Sequence, residues 1–338
     1  MKKNILVYRF SAMGDVVLTI PVLLAVVEKY EDVNLIFVTR PFFASFIPNH
    51  PQIQAVGIDL ENYKGVLGLK KLAKELRVKY EFETVIDLHE VLRTKLISKF
   101  LKLKGKRVFT IDKGRKEKKK VISHQSKEQL KHTTKRYLEV FEKAGYPAEM
   151  SKGPWLFPEE KEELTDFLNK NSLSTTENWI GIAPFAAHEE KMWGLENTKK
   201  LIEKLIELEY KVFLFGGGNE EISYLSKIAN TYENTFLVAG EISFGQELAL
   251  MKKMDSMVAM DSSNMHLATL LGIKTISIWG ATTPLAGFYP INNQKNVIQV
   301  PEKERHLLTL STYGKKASSN KYIWQEHISV KDVLARIR

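Results

Sequence analysis

Short apolar runs alternate with stretches of helical periodicity along the whole chain. In the first half, residues 4–9, 33–38, 55–58, 84–88 and 107–111 read as strands. The stretch 15–30 repeats Val16, Ile20, Leu23 and Val27 at helical spacing. Pro21 lies inside it, and proline is tolerated only in a first turn or at a kink. The pattern recurs in the second half. Strands are predicted over 179–183, 211–215, 256–260 and 274–279, and helices over 196–209, 219–231 and 262–271. In the 196–209 helix, Leu201, Leu205 and Leu208 share one face, and Gly272 closes the 262–271 helix. Strands that alternate with helices predict parallel βαβ units, because parallel strands need crossover connections. The two halves share this order without a visible sequence repeat. The fold class expected is α/β, with two doubly wound parallel-sheet domains and a ligand cleft at the carboxyl ends of their strands.

Composition narrows the function. The chain is 44% hydrophobic and 27% charged, which excludes a disordered or collagen-like protein. There is no cysteine, so disulfides, thiolate nucleophiles and cysteine-held metals are excluded. No run of about 18 apolar residues predicts a membrane span. The apolar start is interrupted by Arg9 and Asp15, so it reads as a buried strand and not as a signal peptide. The expected location is cytoplasmic, with peripheral attachment to an anionic membrane surface open to a basic chain. Net charge is +10, but residues 102–136 alone carry +11 and the rest sums to −1. That segment holds one aromatic, Phe109, so it offers no stacking platform for bases, and nucleic acid is disfavoured as a partner. The basic side chains read either as a solvated loop or as a face for an acidic ligand.

Four loops carry candidate chemistry. Ser11-Ala12-Met13-Gly14-Asp15 joins the first strand to a helix. Asp15 reads either as an acid favoured at a helix N-terminus or as a carboxylate that takes a proton from a hydroxyl. Ala183-Pro184-Phe185-Ala186-Ala187 leads to Lys191 and Trp193, where small residues admit a backbone to a ligand and a lysine can neutralise phosphate. Gly216-Gly217-Gly218 precedes Glu220 and Glu221, without the spacing of a dinucleotide fingerprint or a P-loop. Those two glutamates also read simply as first-turn acids. Asp261-Ser262-Ser263-Asn264-Met265-His266 opens a helix whose free N–H groups suit phosphate. Asp261 can accept bonds from sugar hydroxyls. A lone helical histidine is commonly structural, but His266 stands beside that anion site. Gly280-Ala281-Thr282-Thr283-Pro284 closes the next strand.

Taken in order, these motifs resemble glycosyltransferase family 9, the ADP-heptose:lipopolysaccharide heptosyltransferases. The matching residues are Ser11–Asp15, Lys191 with Trp193, Asp261–His266 and Gly280–Pro284. Asp87-Leu88-His89 and His132…Arg136-Tyr137 also look like the family's N-terminal half. The resemblance implies a GT-B fold, two Rossmann-like domains facing across a cleft, and an inverting, metal-independent transfer with no cofactor. It implies that Asp15 is the general base and that Lys191 neutralises the departing diphosphate. Ala186, Ala187, Gly217, Glu220, Glu221, Asp261, Ser262, Ser263 and His266 would bind an ADP-heptose or related donor, with the ribose on Glu220 or Glu221. Arg9, Ser11, Met13, Lys113, Arg115, Lys116 and Arg136 would meet an acidic glycolipid acceptor at a membrane surface. Lys118, Lys119 and Lys120 would add to that basic face.

The expected division is an acceptor domain over 1–155, a linker region over 156–175 around an acidic helix, and a nucleotide-sugar domain over 176–327. A last helix over 328–338 would cross back to the first domain. The chain departs from the family pattern at Phe185, Ala187, Ser263, Asn264, Ala281 and Thr283. These changes keep two alternatives open: a GT-B transferase or epimerase using another nucleotide-sugar, and a member that binds without catalysis.

Overall fold

The computed structural model describes residues 3–174, 177–312 and 323–338. The chain divides into two compact units. One comprises Met1–Arg115 and Lys131–Trp155, the other Lys116–Leu130 and Leu156–Arg338. The expected start of a domain at 176 falls outside the described residues.

The first unit is built on β1 (Lys3–Tyr8), β2 (Val33–Thr39), β3 (Ile53–Gly57), β4 (Thr84–Asp87) and β5 (Arg107–Thr110). All are parallel, in the order β3-β2-β1-β4-β5. Leu6 of β1 lies opposite Ile36 on one side and Val85 on the other. Both faces of β1 are buried, as βαβ crossovers require. Leu6, Tyr8, Ile36, Val38 and Val85 pack with Leu69, Leu72, Leu76, Ile97 and Leu101. Pro21 divides the stretch expected as one helix. Helix Met13–Val17 ends, and a second helix, Ile20–Lys29, begins with Pro21 in its first turn. There the missing N–H costs nothing.

The second unit carries β6 (Trp179–Ala183), β7 (Lys211–Leu214), β8 (Thr235–Leu237), β9 (Ser256–Met260), β10 (Lys274–Trp279) and β11 (Val297–Gln299). All are parallel, in the order β11-β10-β9-β6-β7-β8. The short edge strands β8 and β11 have three residues each and no readable sequence pattern. Helix Leu195–Glu207 buries Thr198, Leu201, Ile202 and Leu205, whereas Leu208 lies past its end and is exposed. Its apolar face is therefore shorter than the leucine spacing implied. Helix Ser263–Leu270 buries Met265 through Leu270, consistent with its apolar residues standing on all sides.

The basic segment and the last helix both group with the second unit. The basic helix Arg115–Ile122 belongs, from Lys116 onward, with the second unit. There the Lys118 ammonium lies 4.1 Å from the centre of the Phe288 ring, and the Leu130 N–H donates to the Leu285 carbonyl at 3.0 Å. The last helix, Val330–Ile337, packs on helix Leu195–Glu207 and β10 inside the second unit.

Candidate active site

In each sheet the strand order reverses beside the first strand, between β1 and β4 and between β6 and β9. Loops leaving the carboxyl ends there diverge and open a crevice. Charged side chains gather at both places.

At the first, β1 runs on into Arg9, whose guanidinium lies 2.6 Å from Asp15 Oδ2 and donates to the Leu88 carbonyl at the end of β4. Thr39 Oγ1 at the end of β2 donates to the Arg9 carbonyl at 2.6 Å. Asp15 sits inside helix Met13–Val17 and does not cap it, since the N-cap is Ala12. Tyr137 Oη donates to the Asp15 carbonyl at 3.2 Å, and its ring lies 5.8 Å from the Arg9 guanidinium. The carboxylate is thus fixed by a buried cation. Met13 is half-buried in the same turn.

The β4 end supplies the next layer. Buried Asp87 accepts from the His89 and Glu90 backbone N–H groups through Oδ1, both at 2.9 Å. That turn sets His89 Nε2 3.3 Å from Ser11 Oγ. Burial, helped by the Arg9 and Lys113 cations, pushes the imidazole down to about 3, so it is neutral at working pH. Its Nδ1 is buried and makes no hydrogen bond among the described residues. From the end of β5 comes Lys113, lowered to about 8 by burial and by the Arg9 and Arg115 cations, against Asp15 and Glu90. Arg115 is exposed and pairs with Glu90 at 2.9 Å. Arg136 is buried, with its guanidinium against Gly114, whose φ of +60° and lack of Cβ both allow that contact. Of the expected acceptor residues, Arg9, Ser11, Met13, Lys113, Arg115 and Arg136 stand in this unit. Lys116 stands with the second unit, as do Lys119 and Lys120; Lys118 is there too, but its side chain is buried.

At the second reversal, the loop after β6 makes one 3₁₀ turn, Glu189–Lys191, that brings Lys191 Nζ 2.9 Å from Asp261 Oδ2. Each side chain is 12% exposed. Thr282 Oγ1 from the turn after β10 donates to the same Oδ2 at 2.7 Å. One oxygen of Asp261 therefore meets both the Lys191 ammonium and the Thr282 hydroxyl. Ser262 is the N-cap of helix Ser263–Leu270 but makes no side-chain cap. Its Oγ is buried with no hydrogen bond among the described residues. Ser263 lies in the first turn, and His266 is buried one turn further on. Ala186 is buried and Ala187 is exposed beside the Lys191 turn. The glycine loop follows β7. Gly218 has φ +86°, and Gly217 N–H donates to Glu221 Oε2 at 2.9 Å. Glu221 is thus turned onto its own helix terminus, and burial raises its carboxyl, while Glu220 is exposed. His89 and Thr282 matter more than their sequence context implied. The readable signal was position, since each follows a strand adjacent to the one that carries the candidate acid. Among the described residues, no group of three or more His, Asp or Glu is placed to hold a metal ion.

Two parallel doubly wound units of this kind match the GT-B architecture found among glycosyltransferases. The model of glycosyltransferase family 9 (heptosyltransferase) matches residues 69–316, so the chain belongs to that family and is a glycosyltransferase. The lipopolysaccharide core heptosyltransferase OpsX of Haemophilus influenzae is 23% identical, over 99% of this chain and 94% of that protein. Among solved structures, a family 9 glycosyl transferase from Veillonella parvula superposes with a TM-score of 0.78 at 20% identity, covering 99% of this chain and 96% of that one. The E. coli heptosyltransferase WaaC with ADP superposes at 0.68 and 17% identity, covering 99% and 98%. At these identities the structural likeness speaks for the fold.

Proposed function

We propose that the chain transfers a heptose from ADP-heptose to an acidic inner-core lipopolysaccharide acceptor with inversion. The acceptor hydroxyl oxygen attacks the anomeric carbon while its proton passes to Asp15. The bond from that carbon to the diphosphate oxygen breaks, and its electron pair leaves with the diphosphate. Lys191 and the open N–H groups at Ser262–Asn264 take up that charge, so the transition state is stabilised by fixed donors. Asp261 and Thr282 hold Lys191 in place. Glu220, exposed at the mouth of the glycine loop, is the carboxylate left for the ribose, with Gly217 giving close backbone approach. Ala186 and Ala187 leave room beside the phosphates, and His266 backs the same helix terminus.

The observation that carries this reading is the pair of ionic centres, Arg9–Asp15 and Lys191–Asp261, each at a strand-order reversal. Acceptor charge is supported by Lys113, Arg115 and Arg136 around the first centre. A membrane-bound acceptor is supported by the rim of the first sheet. Phe42, Leu67 and Leu92 open the helices after β2, β3 and β4 and are 51%, 81% and 77% exposed, among Arg40, Lys64 and Lys95. That mixture suits an anionic bilayer on the cytoplasmic side. No helix among the described residues is long and apolar enough to cross a membrane.

The test is ADP release on incubation with ADP-heptose and a deep-rough lipopolysaccharide. Turnover is expected, and its absence alongside turnover of another nucleotide-sugar refutes the donor. The changed donor loops favour one second reading, a different nucleotide. Calorimetric titration with a panel of nucleoside diphosphates separates the two, because a preference for uridine favours the second.

A further inference from the structure

The loop that presents Lys191 has only one short turn of regular structure, so something else must hold it. In the second unit that partner is the segment Trp324–Ile328. Trp324 Nε1 donates to the Glu190 carbonyl at 3.2 Å, next to Lys191. Trp193 Nε1 answers by donating to the Ile328 carbonyl at 3.0 Å. Gln325 Nε2 donates to the Met192 carbonyl at 3.3 Å, and Asn197 Nδ2 donates to the Gln325 carbonyl at 3.1 Å. The two segments therefore clasp each other through reciprocal indole bonds, in a site where Trp193 and Trp324 are both buried.

Trp324 does more than hold one loop. Its indole lies against Gly280, so closely that a Cβ there would overlap the ring. Gly280 starts the turn that carries Thr282, and Thr282 bonds the Asp261 carboxylate that pairs with Lys191. One side chain thus touches both loops that meet at Asp261. This also explains why the turn opens with glycine. The segment is anchored from the far side by helix Val330–Ile337, which Ser329 and Asp332 cap reciprocally.

We infer that Trp324 is a positioning residue for the donor diphosphate, setting Lys191 and Thr282 in one register. The inference rests on the proposed donor site. Fixing the lysine in advance removes an ordering cost from phosphate binding. Loosening the clasp should weaken donor binding and slow transfer, and leave the acceptor KM alone.

The experiment is calorimetric titration of ADP and of inorganic pyrophosphate into the full chain and four variants. Trp324→Phe keeps the ring but loses the bond to Glu190, and should weaken ADP binding about fivefold, the worth of one neutral hydrogen bond. Lys191→Ala should weaken it about tenfold to a hundredfold. In the double variant the two effects should fall short of multiplying, because Trp324 acts through Lys191. Val333→Ala, behind the clasp, should lower the melting temperature and leave ADP affinity within about twofold. Wild-type binding with Trp324→Phe unchanged, or effects that multiply, overturns the inference. Failure of the wild-type chain to bind either ligand overturns the proposed donor site and the inference with it.

Discussion

Lys113 makes the acceptor side testable by pH. Its ammonium, ordinarily near 10.5, is brought to about 8 by burial and by the neighbouring Arg9 and Arg115 cations. The charged form is therefore disfavoured in the folded protein, and it is lost as pH rises through about 8. At pH 7 roughly nine-tenths of the molecules carry the charge, and at pH 9 roughly one-tenth do. If an acidic acceptor binds the charged form, its KM should rise about tenfold between pH 7 and pH 9. Lys113→Arg keeps the charge across this range, because a guanidinium does not titrate there. Initial rates against acceptor concentration at pH 7, 8 and 9 make the measurement, with the donor saturating. The wild-type KM should climb and the Lys113→Arg KM should stay flat. A flat wild-type profile, or an equal rise in both proteins, refutes the assignment. The same shift predicts a stability contribution that grows between pH 8 and 10.5, where the folded state has shed the strained charge.

His89 is held neutral down to about pH 3, so acid favours the unfolded chain, which protonates near 6.5. Between pH 7 and pH 5 the wild type should lose about 2 kcal/mol that His89→Gln does not lose, read from urea midpoints at the two pH values. Gly114→Ala places a side chain at φ +60° and against the Arg136 guanidinium, and should cost about 1–3 kcal/mol in the same assay. Thr282→Val removes the bond to Asp261 Oδ2 and should weaken ADP binding about fivefold by calorimetry, with the acceptor KM unmoved.

Much of the fold was legible because its rules are local. Apolar runs marked the buried parallel strands, and Pro21 marked the division between helices Met13–Val17 and Ile20–Lys29. The three-residue edge strands β8 and β11 were not legible, since so few residues form no pattern. The packing of the charge run was not legible for a different reason. A lysine stem is apolar enough to be buried, and Lys118 settles on Phe288, so a basic stretch does not reveal which unit its helix packs on. Leu208 shows the limit of periodicity, because spacing does not say where a helix stops. At the candidate site, loop chemistry picked out Asp15, Lys191 and Asp261 as separate points. Arg9 meets Asp15 across the loop that leaves β1, whereas the pairing of Lys191 with Asp261 depends on β6 and β9 being neighbours. Gly280 was readable as a turn residue, but its reason, Trp324, arrives from 44 residues away.

The central claim is that Asp15 removes the acceptor proton, and Asp15→Asn tests it most directly. The amide keeps the size of the side chain and cannot act as the base. ADP release from ADP-heptose with a deep-rough lipopolysaccharide should fall about 10²- to 10⁴-fold in kcat, with ADP affinity unchanged by calorimetry. An Asp15→Asn protein that transfers at the wild-type rate contradicts the account.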